Sequence, residues 1–196
     1  MVKTHSVEKN IFPIGLLDVD GVLNAEAPSA DFNDWITSFY EKMEPDARTG
    51  ELTLKRYMIN TSYEMGQLLL SLPIRWMWLT DWGNTANQFI SPLLGFPELP
   101  VFEPYFVGHH PKQWWKRHIV SSMTEPFAWI DDNIKMAEVG WNKHNNTINF
   151  KEAPRVPHIA LPMNSPYGQP LANQGINKGL RLKDIELLEA WCKELK

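Results

Sequence analysis

The hydrophobic residues of this chain are grouped into short runs, four of which end abruptly in polar residues. The runs extend from Ile11 to Leu17, from Arg75 to Leu79, from Pro126 to Ile130 and from Pro157 to Pro162. Short apolar runs of this kind are typical of buried parallel strands. Between them, apolar residues follow helical spacing over Tyr63 to Leu72, Thr85 to Leu94 and Gln113 to Met123. The alternation predicts an α/β fold, with a Rossmann-like parallel sheet covered by helices on both faces.

Residues from Ala25 to Asn60 interrupt this alternation. The segment from Asp31 to Lys42 has helical spacing, Arg48 to Glu51 has the composition of a turn, and Leu52 to Ile59 is rich in residues that favour strands. We therefore expect a helix and a small β-hairpin that form a mobile flap, or minimal cap, outside the central sheet. Such an insert is too short to be a domain, so we expect one domain over residues 1 to 196.

The carboxyl-terminal segment from Ile176 to Lys196 contains an amphipathic helical pattern that we expect to pack on the sheet. It includes Cys192, the only cysteine of the chain. In a helical pattern of this kind a lone cysteine is expected to be a packed thiol. A chain that cannot form an internal disulfide fits a reducing cytoplasm. The sequence leaves the role of residues 145 to 196 open.

Composition and charge narrow the class of protein. Of the 196 residues, 43% are hydrophobic and 21% are charged, which is typical of a globular chain rather than a disordered one. The formal net charge of −4 argues against a general binder of nucleic acids or anionic membranes. No stretch approaches the roughly 20 apolar residues that a membrane span needs. We therefore expect a cytoplasmic protein without a membrane partner.

Polar side chains follow three of the predicted strands. Asp18 and Asp20 follow the first, Thr80 follows the second, and Asp131 and Asp132 follow the third. In open α/β sheets the ligand site lies at the carboxyl ends of the strands, so we expect these groups to converge. Clustered buried carboxylates are costly unless a cation compensates them, and Mg²⁺ prefers oxygen ligands. An aspartate can also attack phosphorus, and a second one can act as acid and base.

The order of these groups resembles that of a known family. The run from Asp18 to Asn24 (DVDGVLN) resembles the first motif of the haloacid dehalogenase (HAD) superfamily, in its DxDGxLx phosphatase form. Trp78 to Trp82 resembles the second motif, Lys116 resembles the lysine of the third, and Trp129 to Asn133 resembles the acidic fourth motif. The match covers about residues 11 to 135. It implies a Mg²⁺-dependent phosphohydrolase that cleaves a phosphate monoester through an aspartyl-phosphate.

The resemblance implies a catalytic role for four matched residues. Asp18 would be the nucleophile and a metal ligand. Asp20 would be the general acid and base, and its backbone carbonyl would bind Mg²⁺. Thr80 would bind a phosphoryl oxygen, and Lys116 would offset the charge on Asp18 and on the phosphate.

The remaining matched residues would bind metal or substrate. Asp132 would contact the metal and Asp131 would lie further from it, although the order of this pair stays open. Asp81 and Trp82 would contact the substrate, with Trp82 the best candidate to line the pocket. Lys112, four residues before Lys116, competes with it for the role of catalytic lysine.

Other interpretations are open. The aspartates and Thr80 could be helix caps and turn residues, which their chemistry also favours. A DxD glycosyltransferase and a non-catalytic HAD-like binding module are alternative functions. Asp20 favours phosphatase over dehalogenase chemistry, because the dehalogenase branch resembles D-x-[YF]. The small insert suggests an open site, so the substrate could be a phosphorylated small molecule or a nucleic-acid end. The oligomeric state is open as well.

Overall fold

The computed structural model describes residues 12–46, 48–104, 114–132, 134, 158–162 and 179–195. Its strands are β1 (Ile14–Leu17), β2 (Trp35–Pro45), β3 (Leu52–Ser62), β4 (Arg75–Trp78), β5 (Phe127–Asp131) and β6 (His158–Pro162). Its helices are α1 (Tyr63–Ser71), α2 (Thr85–Phe89), α3 (Ser91–Leu94), α4 (Trp114–Ser121) and α5 (Leu182–Glu194). Four strands form a parallel sheet in the order β4-β1-β5-β6. The expected α/β fold with a parallel sheet is therefore confirmed.

The sheet has an apolar layer on each face. Leu17 and Ile130 lie in one layer with residues of α1, α3 and α5, whereas Leu16 and Trp129 lie in the other with Trp115 of α4. Neighbouring residues of a strand point to opposite faces, so a strand that is covered on both sides must be apolar throughout. This requirement explains why β1 and β5 were visible in the sequence as uninterrupted apolar runs.

The helix expected between Asp31 and Lys42 is absent, and that prediction was wrong. Residues Trp35–Pro45 form strand β2, which pairs with β3 in a separate antiparallel sheet of two strands. Leu52 to Ile59 belongs to this hairpin rather than to the central sheet. Its mobility stays a prediction.

The hairpin has two different faces. Tyr40 and Tyr57 are paired in register and lie on one face, which we call the inner face. Phe39 and Met58 are the next pair toward its base and lie on the outer face, where both are exposed. At the base, Ser62 ends β3 and accepts a hydrogen bond from Met65 N (3.0 Å) as the N-cap of α1. The hairpin is thereby joined without a linker to a helix that packs on the sheet.

The other elements differ from the predicted ones mainly at their ends. The single helix expected from Thr85 to Leu94 is divided into α2 and α3, with Pro92 in the first turn of α3. Cys192 is buried in α5, as expected of a packed thiol. Within the described parts of the chain, no helix combines the length and apolar character needed to cross a bilayer.

Candidate active site

Strand register brings the polar residues of three strands to one edge of the sheet. Leu17 of β1 is paired with Trp78 of β4 on one side and with Ile130 of β5 on the other. The backbone N–H of Asp18 donates to the carbonyl of Ile130 (3.0 Å), and that of Leu79 donates to the carbonyl of Leu17 (2.8 Å). The residues that follow these pairs must therefore lie side by side. The carboxyl edge of the sheet is where the sequence predicted the site.

A tight turn after β1 separates the two aspartates of the DxD motif. The N–H groups of Leu23 and Asn24 both donate to the carbonyl of Val19 at 2.9 Å. Gly21 has φ of 73° in this turn, a left-handed conformation that a side chain would disfavour. As a result Asp18 is buried beneath the edge, whereas Asp20 remains exposed at the surface.

Lys116 lies between two aspartates from different strands. Its Nζ is 2.8 Å from Asp18 Oδ2 and 2.9 Å from Asp131 Oδ2. The lysine is only 4% exposed. Burial would lower the pKa of Lys116, but the two carboxylates outweigh burial and raise it, so the ammonium stays charged. Of the two lysines considered from the sequence, Lys112 lies outside the described residues.

Three buried carboxylates could hold a metal ion. Asp18, Asp131 and Asp132 each offer an oxygen, and these oxygens lie within 4.8 Å of one another. Burial raises the pKa of Asp132 to about 7, and repulsion from Asp18 and Asp131 adds to the effect. With one ammonium against three carboxylates, a divalent cation would complete the charge balance. An all-oxygen donor set fits Mg²⁺. Asp20 was predicted to bind the metal through its backbone carbonyl, which stays a prediction; its carboxylate does not belong to this group.

Asp20 is held by two side-chain donors at the mouth of the site. Trp82 Nε1 donates to Asp20 Oδ2 (2.8 Å), and Asn24 Nδ2 donates to Asp20 Oδ1 (2.9 Å). The protein surrounding the exposed carboxyl group removes part of its hydration and so raises its pKa, although the two hydrogen bonds oppose that change. A raised pKa favours the protonated form of the carboxyl group, which suits a residue that must give and take a proton.

Thr80 and Asp81 occupy the turn between β4 and α2. Thr80 is fully buried, and its Oγ1 accepts a long hydrogen bond from Trp82 N (3.4 Å). Asp81 Oδ1 accepts from Trp115 Nε1 (3.0 Å). That contact ties the turn to the helix that carries Lys116. Thr80 thus has the turn contact that a structural role would require, and its phosphate-binding role stays a prediction.

Asn24 and the inner face of the hairpin lie near the site, but neither was predicted from the sequence to belong to it. Asn24, besides binding Asp20, accepts from Asn60 N (2.9 Å) and donates to Met58 O (3.2 Å), which links the acid to β3. Residues of the inner hairpin face form part of a pocket beside Asp20. Asn24 lies inside the DVDGVLN run, so its position was a usable signal. A small hairpin was expected in this segment, but most of β2 had been predicted as a helix, so the inner face of the hairpin could not be assigned to the site.

Comparison of the chain with protein-family models, with curated proteins and with solved structures found no match.

Proposed function

We propose that this chain is a Mg²⁺-dependent phosphohydrolase of the HAD type that cleaves a phosphate monoester through an aspartyl-phosphate on Asp18. The observation that carries the proposal is the buried Lys116, which bridges Asp18 and Asp131 beside Asp132. An ammonium next to an acidic cluster at the carboxyl edge of a parallel sheet is suited to bind a phosphoryl group and neutralise its oxygens.

The reaction would proceed in two displacements. In the first, a carboxylate oxygen of Asp18 forms a bond to phosphorus, the bond from phosphorus to the leaving oxygen breaks, and Asp20 gives that oxygen its proton. In the second, a water oxygen attacks phosphorus, its proton passes to Asp20, and the bond between phosphorus and Asp18 breaks to release phosphate. The raised pKa of Asp20 supports both proton transfers.

The other residues would orient and neutralise. Lys116 would hold one oxygen of Asp18, and the backbone N–H of Val19 would hold the other (2.8 Å). Mg²⁺ held by Asp18, Asp132 and Asp131 would supply positive charge to the phosphoryl oxygens. Thr80 is proposed to donate to the phosphoryl group.

Substrate, partners and location are part of the same proposal. A phosphorylated small molecule is the proposed substrate, with a nucleic-acid end as the alternative. We propose a cytoplasmic location because the single cysteine suits a reducing compartment.

Hydrolysis of 4-nitrophenyl phosphate by the purified chain tests the proposal. We expect turnover with Mg²⁺ and none with excess chelator. Asp18→Asn should lower the rate by at least about 1000-fold, because an amide cannot form the acyl phosphate. Asp184→Asn is the matched control, since Asp184 is also buried but lies in α5. Near-normal turnover by Asp18→Asn, or full activity in chelator, would disprove the mechanism.

A further inference from the structure

A pocket of about 270 Å³ lies between the inner face of the hairpin and the turn that follows β4. We call it the hairpin pocket. Residues from both sides of this cleft line the pocket, among them Asp20, Tyr40, Lys42, Glu44, Tyr57 and Trp82. Since Asp20 forms part of its wall, the hairpin pocket opens directly next to the proposed catalytic acid.

The position of Asp20 assigns the hairpin pocket to one part of the substrate, and this step rests on the proposed function. The phosphoryl group must contact Asp18 and Lys116, which are both buried below the edge of the sheet. Asp20 must instead reach the oxygen that leaves phosphorus. The group attached to that oxygen therefore extends toward Asp20 and into the space beside it.

The wall of the hairpin pocket nearest Asp20 is aromatic. The rings of Tyr40 and Tyr57 are 6.1 Å apart at an interplanar angle of 28°, and the rings of Tyr40 and Trp82 are 5.3 Å apart. Phe89 packs against Tyr40 with ring centroids 4.5 Å apart, which supports that tyrosine. Trp82 is fixed by its hydrogen bond to Asp20 (2.8 Å). Rings held in this way offer π-faces to a planar group.

The part of the hairpin pocket toward the tip of the hairpin is polar. Glu44 accepts a hydrogen bond from Tyr57 Oη (2.7 Å) and forms an ion pair with Lys42 Nζ (3.2 Å). Because the Tyr57 hydroxyl reaches Glu44, this polar end adjoins the tyrosine rings. A planar group that lies against those rings would therefore meet hydrogen-bonding groups at its edge.

We propose that the hairpin pocket binds the leaving group of the phosphate ester and selects a planar heteroaromatic ring with polar substituents, carried on an alcohol of nucleoside size. Tyr40, Tyr57 and Trp82 contact the ring face, and Glu44 and Lys42 bind its polar edge.

Uridine 5′-monophosphate and ribose 5-phosphate form a pair that tests this proposal, because ribose 5-phosphate carries a hydroxyl at the position where the nucleotide carries the uracil base. We expect the nucleotide to have the higher kcat/KM by about 5- to 100-fold, the usual effect of one base–aromatic stack. Tyr57→Ala should bring this ratio below about 3-fold. Tyr57→Leu, which keeps an apolar residue suited to a strand, should do the same if the alanine variant folds poorly. A comparison of kcat/KM for uridine 3′-monophosphate and uridine 5′-monophosphate shows whether the site prefers the phosphate on the 3′ or on the 5′ hydroxyl.

Tyr63→Ala is the control, since Tyr63 is exposed at the start of α1 and is not a residue of the hairpin pocket. It should leave both substrates unaffected. If 4-nitrophenyl phosphate is hydrolysed but neither nucleotide exceeds ribose 5-phosphate, the proposal for the hairpin pocket is overturned while the phosphohydrolase survives. A ratio that persists in both Tyr57 variants overturns it as well. If no phosphate ester is hydrolysed, the proposed function fails and this proposal fails with it.

Discussion

Replacing Lys116 by methionine should damage both activity and stability. The ammonium lies 2.8 Å from one oxygen of Asp18 and 2.9 Å from one of Asp131. At an effective dielectric constant of about 20, each contact corresponds to roughly 6 kcal/mol of Coulomb energy, much of which is lost again to desolvation. Removing one partner from a buried ion pair costs about 3–5 kcal/mol, because the remaining charges stay buried without compensation. We therefore expect Lys116→Met to lower the free energy of unfolding by about 3–5 kcal/mol in metal-free buffer.

The activity of the same variant should fall at least about 100-fold in kcat, the usual effect of removing one electrostatic group that stabilises the transition state. Urea unfolding followed by circular dichroism gives the stability, and hydrolysis of 4-nitrophenyl phosphate with Mg²⁺ gives the rate. The double variant Asp18→Asn/Lys116→Met should recover part of the lost stability, because it also removes one of the stranded charges.

Lys193→Met provides a matched control for burial. Lys193 forms an ion pair with Glu189 at 2.8 Å, but the two side chains are 67% and 53% exposed. An exposed pair in a helix contributes only about 0.3–0.5 kcal/mol, so this variant should be close to wild type. Equal losses of stability in Lys116→Met and Lys193→Met would show that burial does not make the Lys116 ion pairs stronger. A kcat of Lys116→Met within ~3-fold of wild type, which is about 0.7 kcal/mol, would show that Lys116 does not stabilise the transition state.

Two further predictions concern the acidic cluster and the helix packing. The pKa of Asp132 rises from 3.8 in the unfolded chain to about 7 in the folded one. Between these two pH values the folded chain keeps a proton on Asp132 that the unfolded chain has lost. The free energy of unfolding without metal should thus fall as pH rises from about 4 to about 7, and Asp132→Asn should make this dependence on pH weaker. Mg²⁺ should raise Tm more at about pH 8 than at about pH 5, because the metal binds the deprotonated carboxylate. Equal increases in Tm at the two pH values would contradict this prediction. Gly66→Ala would place a Cβ 2.1 Å from the backbone oxygen of Leu94. The clash should outweigh the gain of about 1 kcal/mol in helix propensity, so urea unfolding should show a free energy of unfolding that is lower by about 1–3 kcal/mol. Ser71→Ala, at an exposed position of α1, is the control and should change the free energy of unfolding by less than about 0.5 kcal/mol.

The central sheet was predictable because its two inner strands, β1 and β5, are buried on both faces. Such strands appear in a sequence as continuous apolar runs, and β1 and β5 are both of this kind. The residues at their carboxyl ends then had to share one edge of the sheet. Asp18 and Asp131 could therefore be assigned to one site without knowledge of any contact between them.

Strand β2 was not predictable because both faces of the hairpin carry apolar side chains. Ile36 and Tyr40 lie on the inner face, while Phe39 and Met43 lie on the outer one. In chain order these four residues occupy positions i, i+3, i+4 and i+7, which is also the pattern of the apolar stripe of a helix. The alternation of period two that identifies a half-buried strand is absent.

What could be read from the sequence is local: the apolar runs, the turns, and the acidic residues that directly follow strands. These features depend on backbone geometry over a few residues, which spacing encodes. The partners of the site residues are of a different kind. Lys116 reaches Asp18 and Asp131 because α4 packs on one face of the sheet, and Trp82 reaches Asp20 across 62 positions of the chain. Such contacts depend on how helices and a hairpin dock to within an ångström, and no local spacing specifies that.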